Sequence, residues 1–287
     1  MKAKKYLVLA ALAVMVAALA LVGCSSGSSS SSASASSSSA SESASSASAS
    51  ASSAAAGEIA LVTEGKLTVA TSPDYPPFEN LENGEYVGLD IEIAKEVAQR
   101  LGLEVEFKTL QFDAIIPAIA AGGQADMGIS GFTVDPDRAK EIDFTETYYI
   151  DDQAIAAMKD GAITADNADD ELNKEGVIIA VQSGTSGEAY VQENYPNATA
   201  QAYGNSTDAF AAMQSGQANA VCTNKAVVEK MLADAYQDAV VVKSIATGEE
   251  YAIVVSQDNK ALTEAINAAL AEMTADGTFD KLLQQYM

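Results

Sequence analysis

The chain has 287 residues, with 40 acidic against 16 basic ones, a formal net charge of −24, no histidine and two cysteines, Cys24 and Cys222. So acidic a surface repels nucleic-acid phosphates and anionic lipid alike. The missing histidine removes the usual general base and a common metal ligand.

Residues 1–5 carry three lysines, residues 6–22 are almost wholly apolar, and Leu21-Val22-Gly23-Cys24 closes the run. A basic start, an apolar stretch and a small residue before a cleavage point describe an export signal over residues 1–23. As a membrane span the run is slightly short and lacks a charged stop. Its Leu-x-Gly-Cys ending resembles the bacterial lipoprotein cleavage box. That resemblance implies that Cys24 becomes the lipid-bearing first residue, and several acyl chains make stable anchoring. The alternative is a plain secreted protein in which Cys24 is incidental. Residues 24–57 are nearly pure Ser and Ala, too poor in apolar bulk to fold, and read as a tether of roughly 30 Å root-mean-square reach. A tether of this length suits a cell wall outside one membrane, as in a Gram-positive-type cell. With Cys24 lipidated, no disulfide is available within the chain.

The folded part, from Glu58 on, is large enough for two lobes. Lys66–Thr71 reads as a buried strand, broken by Ser72-Pro-Asp-Tyr-Pro-Pro-Phe78, and Asn83-Gly84 marks a turn. Asp90 is expected to cap a helix carrying Ile93, Ala94, Val97, Ala98 and Leu101 on one face, closed by Gly102. A strand over Leu103–Leu110, a helix over Phe112–Ala121 and a strand over Ala125–Ser130 follow. The pattern restarts with a strand at Gly176–Val181. A capping box at Thr185-x-x-Glu188 then opens a helix to Tyr195. Ala198–Tyr203, Ala218–Thr223, Ala239–Ile245 and Tyr251–Val255 read as strands, and Thr207–Gln214, Lys225–Tyr236, Lys260–Thr274 and Thr278–Tyr286 as helices. Strands alternating with helices mean an α/β fold with mainly parallel sheets. A faint repeat, Phe112-Asp-Ala…Gly-Gln-Ala-Asp126 and Thr207-Asp-Ala…Gly-Gln-Ala-Asn219, suggests two similar lobes, with ligand held outside the strand ends.

Ser130-Gly-Phe-Thr-Val-Asp-Pro-Asp-Arg138 supplies hydroxyls, flexible backbone, an aromatic and an arginine after a strand. Only Arg100 and Arg138 are arginines. Arg100, at a helix end, reads as solvated surface, leaving Arg138 for bidentate work on a carboxylate. The bland reading is a salt bridge from Arg138 to Asp135 or Glu141. Phe78 reads as core, Tyr75 as an exposed ligand lid or a packed loop residue, and Phe112 as core or pocket wall. Ser183-Gly-Thr-Ser186 opens a helix whose N–H groups favour an anion, or is simply capped by Thr185. Asn224 is a hydrogen-bonding group or a turn residue, and Cys222 a buried apolar one. No catalytic set emerges: there is no Ser-His-Asp arrangement and no isolated carboxylate pair.

Asp-Tyr-Pro-Pro-Phe78, Gly88-Leu-Asp-Ile-Glu-Ile-Ala94, Phe112-Asp-Ala-Ile-Ile-Pro117, Gly131-Phe-Thr-Val-Asp-Pro-Asp-Arg-Ala139, Asp143-Phe-Thr-Glu-Thr-Tyr-Tyr149, Gln182-Ser-Gly-Thr-Ser186 and Asp276-Gly-Thr-Phe-Asp-Lys-Leu282 resemble the solute-binding family 3 of ATP-driven importers, over residues 65–287. The resemblance implies a two-lobed, type II periplasmic-binding fold with two hinge crossings, dividing into 58–153, 154–248 and 249–287. It further implies that Arg138 grips a ligand carboxylate, helped by Ser130, Gly131 and Thr133, with Thr185 and Ser186 from the second lobe and Phe132 and Ser72 beside them. Tyr75 covers the ligand and Phe112 stacks beneath it. The family's ammonium-binding acid is replaced by Asn224, so either Asp74 or Glu188 substitutes or the ligand is not a standard α-amino acid. Ser72 stands where relatives for cationic side chains carry an acid, which disfavours lysine and arginine.

The expectation is therefore a monomeric, lipid-anchored capture protein for a polar amino acid or related small carboxylate, without cofactor or catalysis, delivering to a membrane permease. The alternatives are a cyclohexadienyl-dehydratase-like enzyme on the same fold and a ligand sensor for a signalling partner.

Overall fold

The computed structural model describes residues 59–287. The export signal, Cys24 and the Ser/Ala tether lie outside the described residues. The first half opens with β1 (Lys66–Thr71), β2 (Asp74–Tyr75), β3 (Glu79–Glu82), β4 (Glu85–Val87), α1 (Leu89–Arg100) and β5 (Glu104–Thr109). It continues through α2 (Phe112–Ala121), β6 (Met127–Gly128), a 3₁₀ turn at Arg138–Lys140 and the long strand β7 (Ile142–Met158). Then come α3 (Ala168–Glu171), β8 (Ile178–Gln182), α4 (Ser186–Asn194), β9 (Thr199–Tyr203), α5 (Ser206–Gln214), β10 (Ala220–Asn224) and α6 (Lys225–Asp234). The long strand β11 (Ala239–Ser256), α7 (Lys260–Ala275) and α8 (Thr278–Tyr286) complete the chain.

Eight strands form one sheet in the order β5-β1-β6-β11-β7-β10-β8-β9, and β2-β3-β4 form a small second sheet. The order is the same on both sides of its centre. β6 and β5 flank β1 in parallel, β10 and β9 flank β8 in parallel, and the long antiparallel pair β11 and β7 joins the two triplets. The faint sequence repeat is the trace of this symmetry, since α2 leads into β6 as α5 leads into β10. β7 spans 17 residues and β11 spans 18, so each runs through both halves.

Period-two side-chain alternation puts helices on both faces. On β1, Leu67 and Val69 join the cluster around Ile93, Ala94 and Val97 of α1, whereas Ala70 joins Phe112, Ile115 and Ile119 of α2. On β8, Ala180 meets Phe210 and Met213 of α5, and Ile179 and Val181 meet Val191 of α4. Phe78 and Cys222 are wholly buried, as expected. Gly128 sits where a Cβ would lie 2.7 Å from an Ile115 methyl and 2.8 Å from one of Val254, so only glycine lets the helix approach this strand.

Several expectations are corrected. Gly88, at φ 126°, precedes α1 as its cap, and a Cβ there would fall 2.2 Å from the Phe78 carbonyl oxygen. Asp90 is instead buried within the first turn. The two strands expected at Ala239–Ile245 and Tyr251–Val255 are one, with register shifts around Ile245/Glu249 where Thr247-Gly248 interrupts the apolar run. Arg100 is not a solvated surface cation: its side chain is largely covered and pairs with Glu96, Glu272 and Asp276. That ties the end of α1 to the C-terminal helices.

Candidate functional site

The carboxyl ends of the parallel strands of both halves face one another, where ligands gather in open α/β sheets. The loop after β1 brings Ser72 and Tyr75, the loop after β6 brings Ser130, Gly131 and Thr133, and α2 begins with Phe112. From the other half come Gln182 at the end of β8, Thr185 and Ser186 at the start of α4, and Asn224 at the end of β10. Together with Glu79 and Arg138 they line a mostly enclosed, nearly filled cavity of about 10 Å³. Every expected site residue lines it except Phe132. That ring is fully buried and stacks under Phe112, centroids 4.7 Å apart.

Arg138 is the cation of this cavity. Its guanidinium donates to the Thr133 carbonyl at 2.9 Å and to the Gly184 carbonyl at 2.9 Å, one from each half. It also lies 5.5 Å from the Phe112 ring centroid and 5.8 Å from that of Phe132. The salt bridge to Asp135 or Glu141 does not form. Asp135 accepts instead from the backbone N–H of Arg138 and of Asp137, which is why the turn winds as a 3₁₀ helix. No carboxylate among the described residues lies within ion-pair distance of Arg138. Burial lowers its pKa, and Asp135 and Glu249 oppose that fall.

The halves are shut on each other. The Tyr75 hydroxyl crosses to Thr223 and Asn224. Asp74 accepts from the Ser206 N–H at the start of α5, and the Ser183 hydroxyl donates to Asp113 at 2.9 Å. Tyr75 is therefore not an exposed lid; it is buried, and burial drives its phenol pKa well up.

Most hydroxyl protons around the cavity are already given to protein acceptors: Ser72 to Asp74, Ser130 to Glu79, Thr185 to the Gln182 carbonyl and Ser186 to Glu249. Thr185 also accepts from the Glu188 N–H as the helix cap. Behind the wall, Asp90 accepts from the Gly131 N–H and the Tyr148 hydroxyl, both at 2.9 Å. Glu79 Oε2 and Asp90 Oδ1 are buried and have no hydrogen-bond partner. Burial and the neighbouring Asp90 push Glu79 well above its ordinary value, and burial pushes Asp90 up to about 6. Two buried acids side by side disfavour both being charged at once.

The two acids expected to replace the family's ammonium receptor are otherwise engaged. Asp74 holds Ser72 and Ser206, and Glu188 accepts from the Gly184 N–H and from Gln192. The acid that gathers cavity side chains from both halves is Glu249, from the interrupted centre of β11. Sequence reasoning passed over it because nothing distinguishes one glutamate in so acidic a chain. Glu79 was missed too, although it directly follows the Asp-Tyr-Pro-Pro-Phe run.

An α/β sheet with paired halves, closed over a cavity that offers one arginine and a ring of hydroxyls, defines a solute-capturing protein. The chain belongs to the bacterial extracellular solute-binding proteins, family 3, whose model matches residues 67–287. It is 32% identical over 226 residues to the ABC transporter arginine-binding protein 1 of Escherichia coli (strain K12), covering 77% of this chain and 90% of that one. It is 31% identical over 212 residues to the ABC transporter glutamine-binding protein GlnH of Bacillus subtilis (strain 168), covering 73% and 76%. In structure it is similar to an ancestral amino acid-binding protein described as a precursor of cyclohexadienyl dehydratase, with TM-score 0.70, 35% identity and coverage of 77% and 95%. The fold is the type II periplasmic-binding fold of its structural neighbours.

Proposed function

We propose that this protein captures a small zwitterionic solute, a polar amino acid, between its two halves and hands it to the membrane permease of an ABC importer. The observation that carries the reading is Arg138: a half-buried guanidinium lining the cavity, held by two backbone carbonyls and by no carboxylate. Buried charges are paired, and the group that fits a planar fork is a ligand carboxylate. Relatives named for arginine and for glutamine fit this class and leave the side chain open.

Closure turns on β7 and β11, dividing the lobes at about residues 153 and 248, where the register of the pair shifts between Ile245 and Glu249. Ligand touching both halves favours the shut state because only that state completes the site. Lipid on Cys24 and the long tether would hold the protein to the outer face of a Gram-positive-type membrane. Binding rather than catalysis is supported by the relatives, which are named as binding proteins.

Calorimetry of the purified protein against the common L-amino acids tests the reading. Binding of at least one, lost in Arg138→Ala, is the expected result. No binding by the wild-type protein, or undiminished binding by the variant, overturns it.

A further inference from the structure

Resting on that reading, we infer that Glu249, on the strand that joins the two halves, is the receptor for the cationic group of the ligand and sets the site's preference for amino over des-amino acids. Its carboxylate is held by side chains from both flanks of the cavity. Oε2 accepts from the Thr133 hydroxyl at 2.6 Å, the Ser186 hydroxyl at 2.7 Å and Asn224 Nδ2 at 3.1 Å, and Oε1 accepts from Gln153 Nε2 at 2.9 Å. Thr133, Ser186 and Asn224 all line the cavity.

All four donors are neutral. No lysine or arginine among the described residues lies within ion-pair distance of Glu249, whereas the surface acids around the fold readily find one. A half-buried carboxylate fixed by neutral dipoles and lacking a counter-charge is positioned but not neutralised. Arg138 is its mirror image: a half-buried cation without an anion beside the same cavity. The two unpaired charges are not bonded to each other. A molecule carrying a carboxylate and an ammonium satisfies both, and one carrying only a carboxylate leaves Glu249 without a partner. Asn224, at the end of β10, serves here as a donor that orients Glu249. The acid has moved from the strand end to the strand that crosses between lobes.

The test measures affinity for each common L-amino acid that binds the wild-type protein, and for the carboxylic acid lacking its amino group, with wild type, Glu249→Gln and Glu249→Asp. Glu249→Gln keeps the acceptor oxygen and removes the charge. The amino acid is expected to bind this variant about ten- to a hundredfold more weakly, with little change for the des-amino acid. Glu249→Asp retains the charge and is expected to lose less, which guards against Glu249→Gln failing for want of folding. Equal affinity of wild type and Glu249→Gln for the amino acid overturns the inference and leaves the capture reading standing. So does a gain by Glu249→Gln for both ligands, which would make Glu249 a plug on the site's hydroxyls. If no amino acid binds the wild type, the capture reading itself fails.

Discussion

The Tyr75 hydroxyl in one half lies 2.6 Å from Asn224 Oδ1 and 2.6 Å from Thr223 Oγ1 in the other. It also accepts from the Asn224 N–H at 3.3 Å. One phenol thus joins the loop after β1 to the end of β10, and it is a direct side-chain tie across the closed cleft.

Tyr75→Phe keeps the ring but leaves the Asn224 amide and the Thr223 hydroxyl facing it unsatisfied in the closed state alone. An unmade buried hydrogen bond costs about 1–3 kcal/mol. The variant is expected to bind about tenfold or more weakly and, without ligand, to give a larger radius of gyration by solution X-ray scattering. Unchanged affinity would show that the tie does not hold the cleft shut.

Arg138→Lys separates charge from fork. A lysine cannot reach the Thr133 and Gly184 carbonyls while also presenting two parallel donors to a carboxylate. Both Arg138→Ala and Arg138→Lys should therefore weaken binding, the alanine by about a hundredfold or more and the lysine by less, since it keeps the charge. Lysine binding as tightly as arginine would mean that charge alone matters.

Asp151 predicts a pH dependence of stability. Burial raises its pKa from the ordinary 3.8 to about 6, despite hydrogen bonds from the Asp152 and Ala226 N–H groups. Between those values the folded chain holds a proton that the unfolded chain has lost. The contribution to stability is full below about pH 4 and disappears as pH rises through 6. Asp151→Asn removes the charge and keeps an acceptor for one of those two N–H groups, which bond to different oxygens. It is expected to show a flatter denaturant-midpoint profile between pH 4 and 7 than wild type. A profile as steep as wild type would place the dependence elsewhere, with the Glu79–Asp90 pair the next group of the same sign.

Burial and the neighbouring Asp90 raise the Glu79 pKa well above its ordinary value and favour the neutral acid, so Glu79→Gln is expected to change little: its amide oxygen can still accept from Ser130. A melting shift equivalent to less than about 1 kcal/mol is expected, against about 2–3 kcal/mol for Glu79→Ala, which strands Ser130. Equal losses in the two would argue that Glu79 carries its charge.

Much of the site was legible because it is local. The loops after strands announce themselves through proline, glycine and hydroxyl residues. Arg138 stands out in a chain with two arginines, and Thr185 caps its helix through a contact three residues away. The strand over Ile142–Met158 was not legible, because its first half reads Asp-Phe-Thr-Glu-Thr-Tyr-Tyr-Ile-Asp-Asp, polar enough to pass for a loop. The Asn83-Gly84 turn was read, but the small sheet it closes was not.

Most of the strand and helix order, the doubled layout and the arginine loop are properties of the sequence itself, since periodicity and turn chemistry act over a few neighbouring residues. Which acids matter was decided only by tertiary structure. Glu249 reaches Thr133, Gln153, Ser186 and Asn224 across separations of 116, 96, 63 and 25 residues. Glu79 meets Ser130 across 51. A carboxylate's role depends on which donors and charges surround it, and in a chain with 40 acids only the packing of the two halves assigns those neighbours.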